Sequence, residues 1–281
     1  MSISGHTVRV NNLDLNVHIE GEGPAVLLLH GFPDSNALWR HLIPALSAAG
    51  YTVIAPDQRG FGESDAPAGV EHYRAATLVS DAIALLDALN ISTAHLVGHD
   101  YGALVGWMLA GLHGERFLSY TALSVGHPAA YVAAGGKQKR MTRFRGFFLV
   151  RGLSEAILRA GNWMAFRRLV RHHPETTHWI KDLSRPGRLT AAINWYRANI
   201  RIISTATGVP RVGIPVMGVW SSQDLALAED QMINSAQHVD NTFRYERLDG
   251  CSHWIPLDRP ETTIALLLDF LTKQAKPSLA H

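Results

Sequence analysis

The sequence contains one cysteine, Cys251, in 281 residues. An internal disulfide is therefore excluded, and we expect a protein of the reducing cytoplasm, where disulfides are rare. No stretch is long and apolar enough to span a bilayer. The first residues lack the basic and then apolar segments that mark a secretion signal, so we expect no signal peptide.

Patterns that bind metals or phosphates are also lacking. We find no cluster of histidines, cysteines and carboxylates at metal-ligand spacing and no glycine-rich phosphate loop. We therefore expect no metal, no other cofactor and no nucleic acid partner. With 47% hydrophobic and 18% charged residues, the chain can bury a sizeable core. Its length suits one large domain, or one domain with an insertion.

Acidic residues are scarce in one segment. Residues 127–211 contain 16 lysines and arginines against 3 aspartates and glutamates, whereas the rest of the chain contains 10 against 21 and the net charge is only +2. This basic segment could attract anionic substrates or a membrane surface. Alternatively it is a basic lid on an acidic body, with its charges solvated or paired. We favour the second interpretation.

The order of hydrophobic patterns predicts the fold class. Eight strand-like runs occur, at residues 7–10, 13–20, 25–30, 52–57, 94–99, 118–125, 215–221 and 242–248. Helical patterns lie between them; the apolar residues of 75–90, for example, recur at helical spacing. Alternating strands and helices predict an α/β fold with a mostly parallel central sheet flanked by helices, and the first two runs predict an antiparallel start.

A distinctive strand-to-helix turn follows the fifth run. Residues 98–102 read GHDYG, which sets Asp100 between two glycines, after an apolar run and before a helix-like stretch. This is the layout of a nucleophile elbow, which lifts one side chain above the sheet and usually carries serine. A carboxylate is ionised at neutral pH and needs no base to activate it, which suits displacement at a saturated carbon. The alternative is that Asp100 only caps the helix.

The strand–helix alternation stops between residues 127 and 211, which are helix-like and rich in arginine and tryptophan. We predict that residues 127–211 form a helical cap, inserted after the sixth strand and closing over the elbow. Residues 1–126 and 212–281 would then form the core.

Two further polar residues follow strand-like runs. Asp224 follows residues 215–221, and His253 follows residues 242–248. Because ligands bind at the carboxyl ends of parallel strands, Asp100, Asp224 and His253 are expected to meet there. The order nucleophile, acid, histidine is that of an α/β-hydrolase. Each residue alone is weak evidence, since loop histidines are usually surface residues and loop aspartates usually form turns.

A second turn predicts an oxyanion hole. Residues 30–33 read HGFP at the end of the third strand-like run, where a hydrolase needs a backbone N–H facing the reaction centre. The amides of Phe32 and Tyr101 are the candidate donors. The alternative is a simple strand-ending turn.

The motifs together resemble one family. HGFP at 30–33, DQRGFGES at 57–64, GHDYG at 98–102 and SHW at 252–254 look like the epoxide hydrolases of the α/β-hydrolase fold. The resemblance covers nearly the whole chain. It implies that an epoxide and water give a vicinal diol through an ester on Asp100, that His253 and Asp224 activate the water, and that no cofactor is needed. The implied partner is a small hydrophobic epoxide; the sequence leaves a homodimer open.

The resemblance extends into the cap with one departure. The sequence NWYR at 194–197 is similar to the family segment that carries a ring-opening tyrosine, which makes Tyr196 the candidate acid. Members usually have a second cap tyrosine, but Phe144 stands at the aligned position and Tyr131 lies close to the hinge. Either one tyrosine suffices, or the alignment slips, or the substrate is not an epoxide. Phe144 and Trp254 are the predicted substrate contacts, although Phe144 could instead pack the cap.

Single residues distinguish this sequence from enzymes of the same fold that have other functions. Haloalkane dehalogenases typically carry side-chain N–H donors where this chain has Phe32 and Tyr101. Fluoroacetate dehalogenases resemble residues 194–197 but carry arginines just after the nucleophile, where this chain has Leu104 and Val105. An esterase is disfavoured because an aspartate attacking an ester would form an anhydride. A non-catalytic scaffold would not need the site residues, since a fold alone does not determine function.

Overall fold

The computed structural model describes residues 3, 5–143 and 145–274. Its sheet consists of the strands β1 (His6–Val10), β2 (Leu13–Glu20), β3 (Ala25–Leu29), β4 (Thr52–Pro56), β5 (Ala94–His99), β6 (Phe117–Leu123), β7 (Val216–Ser221) and β8 (Phe243–Leu248). Each predicted run coincides with one of these strands to within a few residues. The predicted α/β fold class is confirmed.

The strands lie in the order β1-β2-β4-β3-β5-β6-β7-β8. Strand β2 pairs antiparallel with β1 and β4, and the other neighbours pair in parallel. The predicted antiparallel start is therefore present. Every residue of β3 and β5 is buried, which explains why these runs do not alternate between apolar and exposed polar residues, since strands covered on both faces expose neither set of side chains.

The helices fall into two groups. Those of the core are α1 (Leu42–Ala48), α2 (Ala75–Ala88), α3 (Tyr101–Leu112), α10 (Glu229–Ile233), α11 (Ile255–Asp258) and α12 (Pro260–Gln274). Those between β6 and β7 are α4 (Pro128–Ala133), α5 (Gly135–Met141), α6 (Arg145–Phe148), α7 (Leu153–Leu169), α8 (Thr176–Ser184) and α9 (Arg188–Thr205). Helix α7 is interrupted by non-helical backbone at residues 160–163. Short 3-10 helices occupy Asn36–Trp39, Val70–Tyr73, Gly114–Arg116 and Asn234–His238.

The described residues from 128 to 205 form helices and turns without a strand. We therefore propose the division drawn from the sequence, with residues 127–211 as the cap and residues 1–126 and 212–281 as the core. Among the described residues, no helix is long and apolar enough to cross a membrane.

Helix α9 joins the cap to the core. Its Trp195 indole N–H donates to the Arg59 carbonyl at 3.1 Å. Its Asn199 side-chain amide accepts from the Ala75 N–H at 2.7 Å and donates to the Tyr73 carbonyl at 2.8 Å. Both side chains are buried, so these bonds are shielded from water and hold α9 in one position over the sheet.

A buried arginine holds the cap helices together. Arg197 of α9 donates to both carboxylate oxygens of Glu155 and to the Ser154 hydroxyl on α7, and to the Phe148 carbonyl at the end of α6. Burial alone would raise the pKa of Glu155, but the hydrogen bonds from Arg197, the backbone and Ser154, together with the charge of Arg197, outweigh it and hold the pKa at about 2. Tyr196, the residue directly before Arg197, therefore lies on a helix that these bonds hold in place.

Candidate active site

The backbone at Asp100 is strained. Asp100 lies between β5 and α3 with φ 51° and ψ −118°, a region that residues with a side chain rarely occupy. The flanking glycine at 102 lies so close to the end of β3 that an added Cβ would collide with the Leu29 carbonyl oxygen. Asp100 stands at the N-cap of α3, but its side chain makes no capping hydrogen bond. Its carboxylate is instead directed to the residues above the sheet.

Each oxygen of the Asp100 carboxylate has a separate partner. Oδ1 accepts a hydrogen bond from the Phe32 N–H at 2.9 Å. Oδ2 lies 3.4 Å from His253 Nε2. Burial by itself would raise the pKa of Asp100, but the hydrogen bond and charge of His253, aided by the Tyr101 N–H, hold the pKa below its usual value. The carboxylate is therefore ionised at neutral pH. The backbone N–H groups of Phe32 and Tyr101, the predicted oxyanion-hole donors, both interact with this carboxylate.

Asp224 orients the imidazole of His253. Its Oδ2 lies 2.7 Å from His253 Nδ1, and its Oδ1 accepts hydrogen bonds from the backbone N–H groups of Ala226 and Leu227 at 2.8 and 2.9 Å. Burial would lower the pKa of His253, but the charges and hydrogen bonds of Asp224 and Asp100 raise it to about 10. The three side chains predicted to meet at the strand ends do lie together, as an imidazolium between two carboxylates.

Two residues that sequence reasoning did not single out hold the His253 backbone. The His99 side chain, through Nε2, and the Ser124 hydroxyl both contact the His253 carbonyl oxygen at 2.9 Å. His99 ends β5 and Ser124 follows β6, so the loop that carries His253 is attached to the strand ends next to Asp100. His99 belongs to the GHDYG motif, so the sequence did contain a signal that this residue lies at the site.

A cleft of about 540 Å³, part of it open to solvent, lies between Asp100 and the cap. Its lining residues are Asp100, Tyr101, Leu104, Val125, Gly126, Pro128, Tyr131, Thr142, Arg145, Tyr196, Ile203, Ala226 and Leu227. Most of these side chains are apolar or aromatic, and such a pocket with a few polar groups is typical of a site for a small molecule.

Tyr196 places its ring in the wall of this cleft. The ring centroid lies 4.7 Å from that of Tyr101, 4.8 Å from that of Phe148 and 5.6 Å from that of Phe32. Burial raises the pKa of the Tyr196 phenol well above its usual value, and the negative charge of Asp100 raises it further. No hydrogen-bond partner of this hydroxyl is found among the residues that the structure describes. The phenol is therefore a neutral donor available to a ligand.

Comparison with known proteins assigns the family. The alpha/beta hydrolase fold family matches residues 24–260. Epoxide hydrolase A of Mycobacterium tuberculosis is 32% identical over 94% of this chain and 96% of its own length. The chain belongs to the epoxide hydrolase family of the α/β-hydrolase fold. The resemblance drawn from the motifs is thereby confirmed.

Other relatives of this α/β-hydrolase agree with that assignment. The AB hydrolase superfamily protein YfhM of Bacillus subtilis is 31% identical over 95% of this chain and 97% of its own length. The crystal structure of epoxide hydrolase A from Mycobacterium thermoresistibile has a TM-score of 0.84 at 29% identity, covering 96% of this chain and 98% of that one. Epoxide hydrolase VrEH1 from Vigna radiata has a TM-score of 0.82 at 27% identity, covering 97% and 98%.

Tyr131 lines the cleft of this α/β-hydrolase although it lies near the hinge. Its hydroxyl lies 2.7 Å from the Thr142 hydroxyl, which donates to the Gln138 carbonyl at 2.8 Å. Because Thr142 has a single hydroxyl proton, Tyr131 must be the donor in the first bond. Its proton is therefore occupied, unlike that of Tyr196. Phe144, the predicted counterpart of the second tyrosine and a predicted substrate contact, lies outside the described residues.

Trp254 lies behind His253. Its ring centroid is 5.3 Å from that of His253, 4.8 Å from that of His173 and 4.6 Å from that of Trp179. It is buried, and it is not among the described residues that line the cleft. In this position Trp254 supports the imidazole; substrate contact by Trp254 stays a prediction.

Within the described residues, no group of three histidines, cysteines or carboxylates could hold a metal ion.

The charge of Asp100 should be measurable through the titration of His253. Because the folded-state pKa of His253, about 10, exceeds its ordinary value of 6.5, the imidazolium stabilises the fold fully below pH 6.5. This contribution is lost as the pH rises through about 10. In Asp100→Asn the pKa of His253 should fall, and the loss of stability should begin at lower pH.

Histidine NMR titration and denaturation at several pH values check both effects. Asp249→Asn, which removes an exposed carboxylate, is the matched control and should leave the His253 titration unchanged. An unchanged His253 pKa in Asp100→Asn would contradict the ion pair.

Proposed function

We propose that this enzyme hydrolyses a small, largely hydrophobic epoxide to a vicinal diol through an ester on Asp100. One observation carries the proposal: the elbow holds an ionised aspartate, within reach of His253, and lines a cleft with the hydroxyl of Tyr196, which has no partner among the described residues. The similar proteins named above as epoxide hydrolases support the same substrate class.

In the first step Asp100 Oδ2 attacks an epoxide carbon, so that a carbon–oxygen ester bond forms and a ring carbon–oxygen bond breaks. The hydrogen bond from Phe32 holds the other oxygen, Oδ1, which leaves Oδ2, 3.4 Å from His253 Nε2, as the attacking oxygen. The departing ring oxygen is an alkoxide, which is a poor leaving group unless it receives a proton. The Tyr196 phenol supplies that proton and becomes a phenolate.

Esterification of Asp100 changes the acidity of His253. The resting imidazole holds its proton because two carboxylates act on it. Once Asp100 is an ester, one negative charge is gone and the pKa of His253 falls. The imidazolium then returns a proton to the Tyr196 phenolate, directly or through water. His253 becomes a neutral base only after the ester has formed.

In the second step neutral His253, oriented by Asp224, takes a proton from water, and the hydroxide attacks the carbonyl carbon of the Asp100 ester. The N–H groups of Phe32 and Tyr101 stabilise the negative charge of the tetrahedral intermediate. Collapse of the intermediate breaks the ester bond and leaves Asp100 as a carboxylic acid. The departing alkoxide takes the proton of this acid and leaves as the diol, which restores the ion pair of Asp100 and His253. Epoxide and water alone balance this reaction, so we propose an enzyme without cofactor or metal.

We also propose a cytoplasmic location. The support is that the sequence has a single cysteine, Cys251, which is buried and free, as is usual in proteins of a reducing compartment. A homodimer stays a prediction.

A panel of four substrates tests the reaction class. Styrene oxide should give its diol, whereas a bromoalkane, a 2-halocarboxylate and a p-nitrophenyl ester should not be turned over. Asp100→Ala should abolish diol formation, because the nucleophile is removed. Halide release without diol formation would indicate a dehalogenase, and inactivity on every compound would favour a non-catalytic scaffold.

The ester on Asp100 can be detected by the origin of the new oxygen. In a single turnover in heavy-oxygen water with excess enzyme, the diol should be unlabelled, because its new oxygen comes from the Asp100 carboxylate. Over many turnovers the diol should become labelled, and mass spectrometry should locate the label in the elbow peptide. Labelled diol in the first turnover would mean that water attacks the epoxide directly.

Tyr196→Phe separates the two steps. Loss of the proton donor should slow ester formation by about 100-fold or more, while hydrolysis of the ester, measured in single-turnover kinetics, should change much less. Tyr131→Phe is the matched control, since the Tyr131 proton is already donated to Thr142. Equal slowing of both steps by Tyr196→Phe would indicate that Tyr196 only packs the cap.

A further inference from the structure

An arginine without an acidic partner lies in the cleft. Arg145 of α6 is among the lining residues together with Asp100 and Tyr196. Its guanidinium carbon lies 4.8 Å from the centroid of the Tyr131 ring. No ion pair of Arg145 is found in the part of the chain that the structure describes. The neighbouring buried arginine of the cap, Arg197, is in contrast fully paired with Glu155.

A second donor without a partner among the described residues belongs to the lining of the same cleft. The hydroxyl of Tyr101 is buried and has no hydrogen-bond partner among the described residues. Tyr101 also lines the cleft. Its hydroxyl and the Arg145 guanidinium are close enough for the charge of each to act on the pKa of the other. Two donors on different elements, one on α3 and one on α6, therefore lie in the same wall.

Asp100 is the acidic residue of this cleft, but its oxygens are committed elsewhere. Oδ1 accepts from the Phe32 N–H, and Oδ2 faces His253. Burial lowers the pKa of the Arg145 guanidinium below its usual value, because a cation withdrawn from water loses hydration, although the negative charge of Asp100 acts in the opposite direction. Among the described residues no carboxylate forms an ion pair with Arg145.

We propose that Arg145 binds a carboxylate of the substrate, with the Tyr101 hydroxyl as a second donor, so that the enzyme prefers epoxides that carry a carboxylate over their neutral analogues. This inference rests on the proposed epoxide hydrolysis. A guanidinium offers a planar fork of N–H groups that matches the two oxygens of a carboxylate. The excess of basic residues in 127–211, 16 against 3 acidic, favours the approach of an anion.

Matched substrates test the inference. A series of terminal epoxides with a carboxylate at increasing distance from the ring is compared with the corresponding primary amides, which have similar size and no charge. At neutral pH the wild-type kcat/KM should be higher for at least one acid than for its amide. Arg145→Met should reduce the acid-to-amide ratio by about 10- to 100-fold, as expected for a lost charge-assisted hydrogen bond, with the effect mainly in KM.

Three further variants define the interaction. Arg145→Lys should retain part of the preference, because it keeps the charge without the fork, and Tyr101→Phe should reduce it less than Arg145→Met. Arg143→Met removes the same charge from an exposed cap position and should leave the ratio unchanged. An equal effect of Arg143→Met and Arg145→Met would assign the preference to the general charge of the cap and overturn the proposed contact.

Other outcomes also overturn the inference. If the wild-type kcat/KM is the same for acid and amide at every distance of the carboxylate from the ring, the inference fails without any variant. Equal losses on acid and amide in Arg145→Met would assign Arg145 to ring opening or to the fold. If no epoxide is hydrolysed, the proposed function fails, but calorimetric binding of the diol acid and diol amide to the wild type and to Arg145→Met still decides the role of Arg145.

Discussion

A positive φ at Asp100 is the constraint on which the site depends. The turn directs the carboxylate above the sheet, and it is tolerated because glycine at 102 lets α3 approach the end of β3 closely. With a capping conformation the same aspartate would have bonded to α3. The strained turn instead brings one carboxylate oxygen to the Phe32 amide and the other towards His253. Backbone strain of this kind is commonly found at functional sites.

The side chains of Asp100, Asp224 and His253 form a set of interacting charges above the elbow. Asp100 and Asp224 share the proton-bearing imidazole of His253, whose carbonyl is held by His99 and Ser124. Each carboxylate is stabilised by the imidazolium and each raises its pKa. In the proposed mechanism the ester on Asp100 removes one of the two charges, so His253 becomes a base only when there is an ester to hydrolyse. The order of the two proposed steps thus follows from electrostatics.

The cap completes the cleft through helices that pack on both the core and one another. Arg197, paired with Glu155, joins three cap helices, and the adjacent Tyr196 faces the cleft from that fixed frame. Arg145 is the opposite case, a cap arginine left without an acid among the described residues. The two cap arginines therefore differ: Arg197 is paired within the protein, and Arg145 is the one that we propose binds the ligand.

The sequence by itself determined the α/β fold class, the family and the relation of Asp100, Asp224 and His253, because parallel strands bring residues that follow them to one edge. It could not place residues whose position depends on cap packing. Tyr131 lies near the hinge in the sequence, yet it lines the cleft, and Arg145 is one basic residue among many in 127–211 that also does. Only the tertiary structure decided which cap side chains face Asp100 and which of them lack partners, since helical periodicity says which residues share a face but not what that face meets.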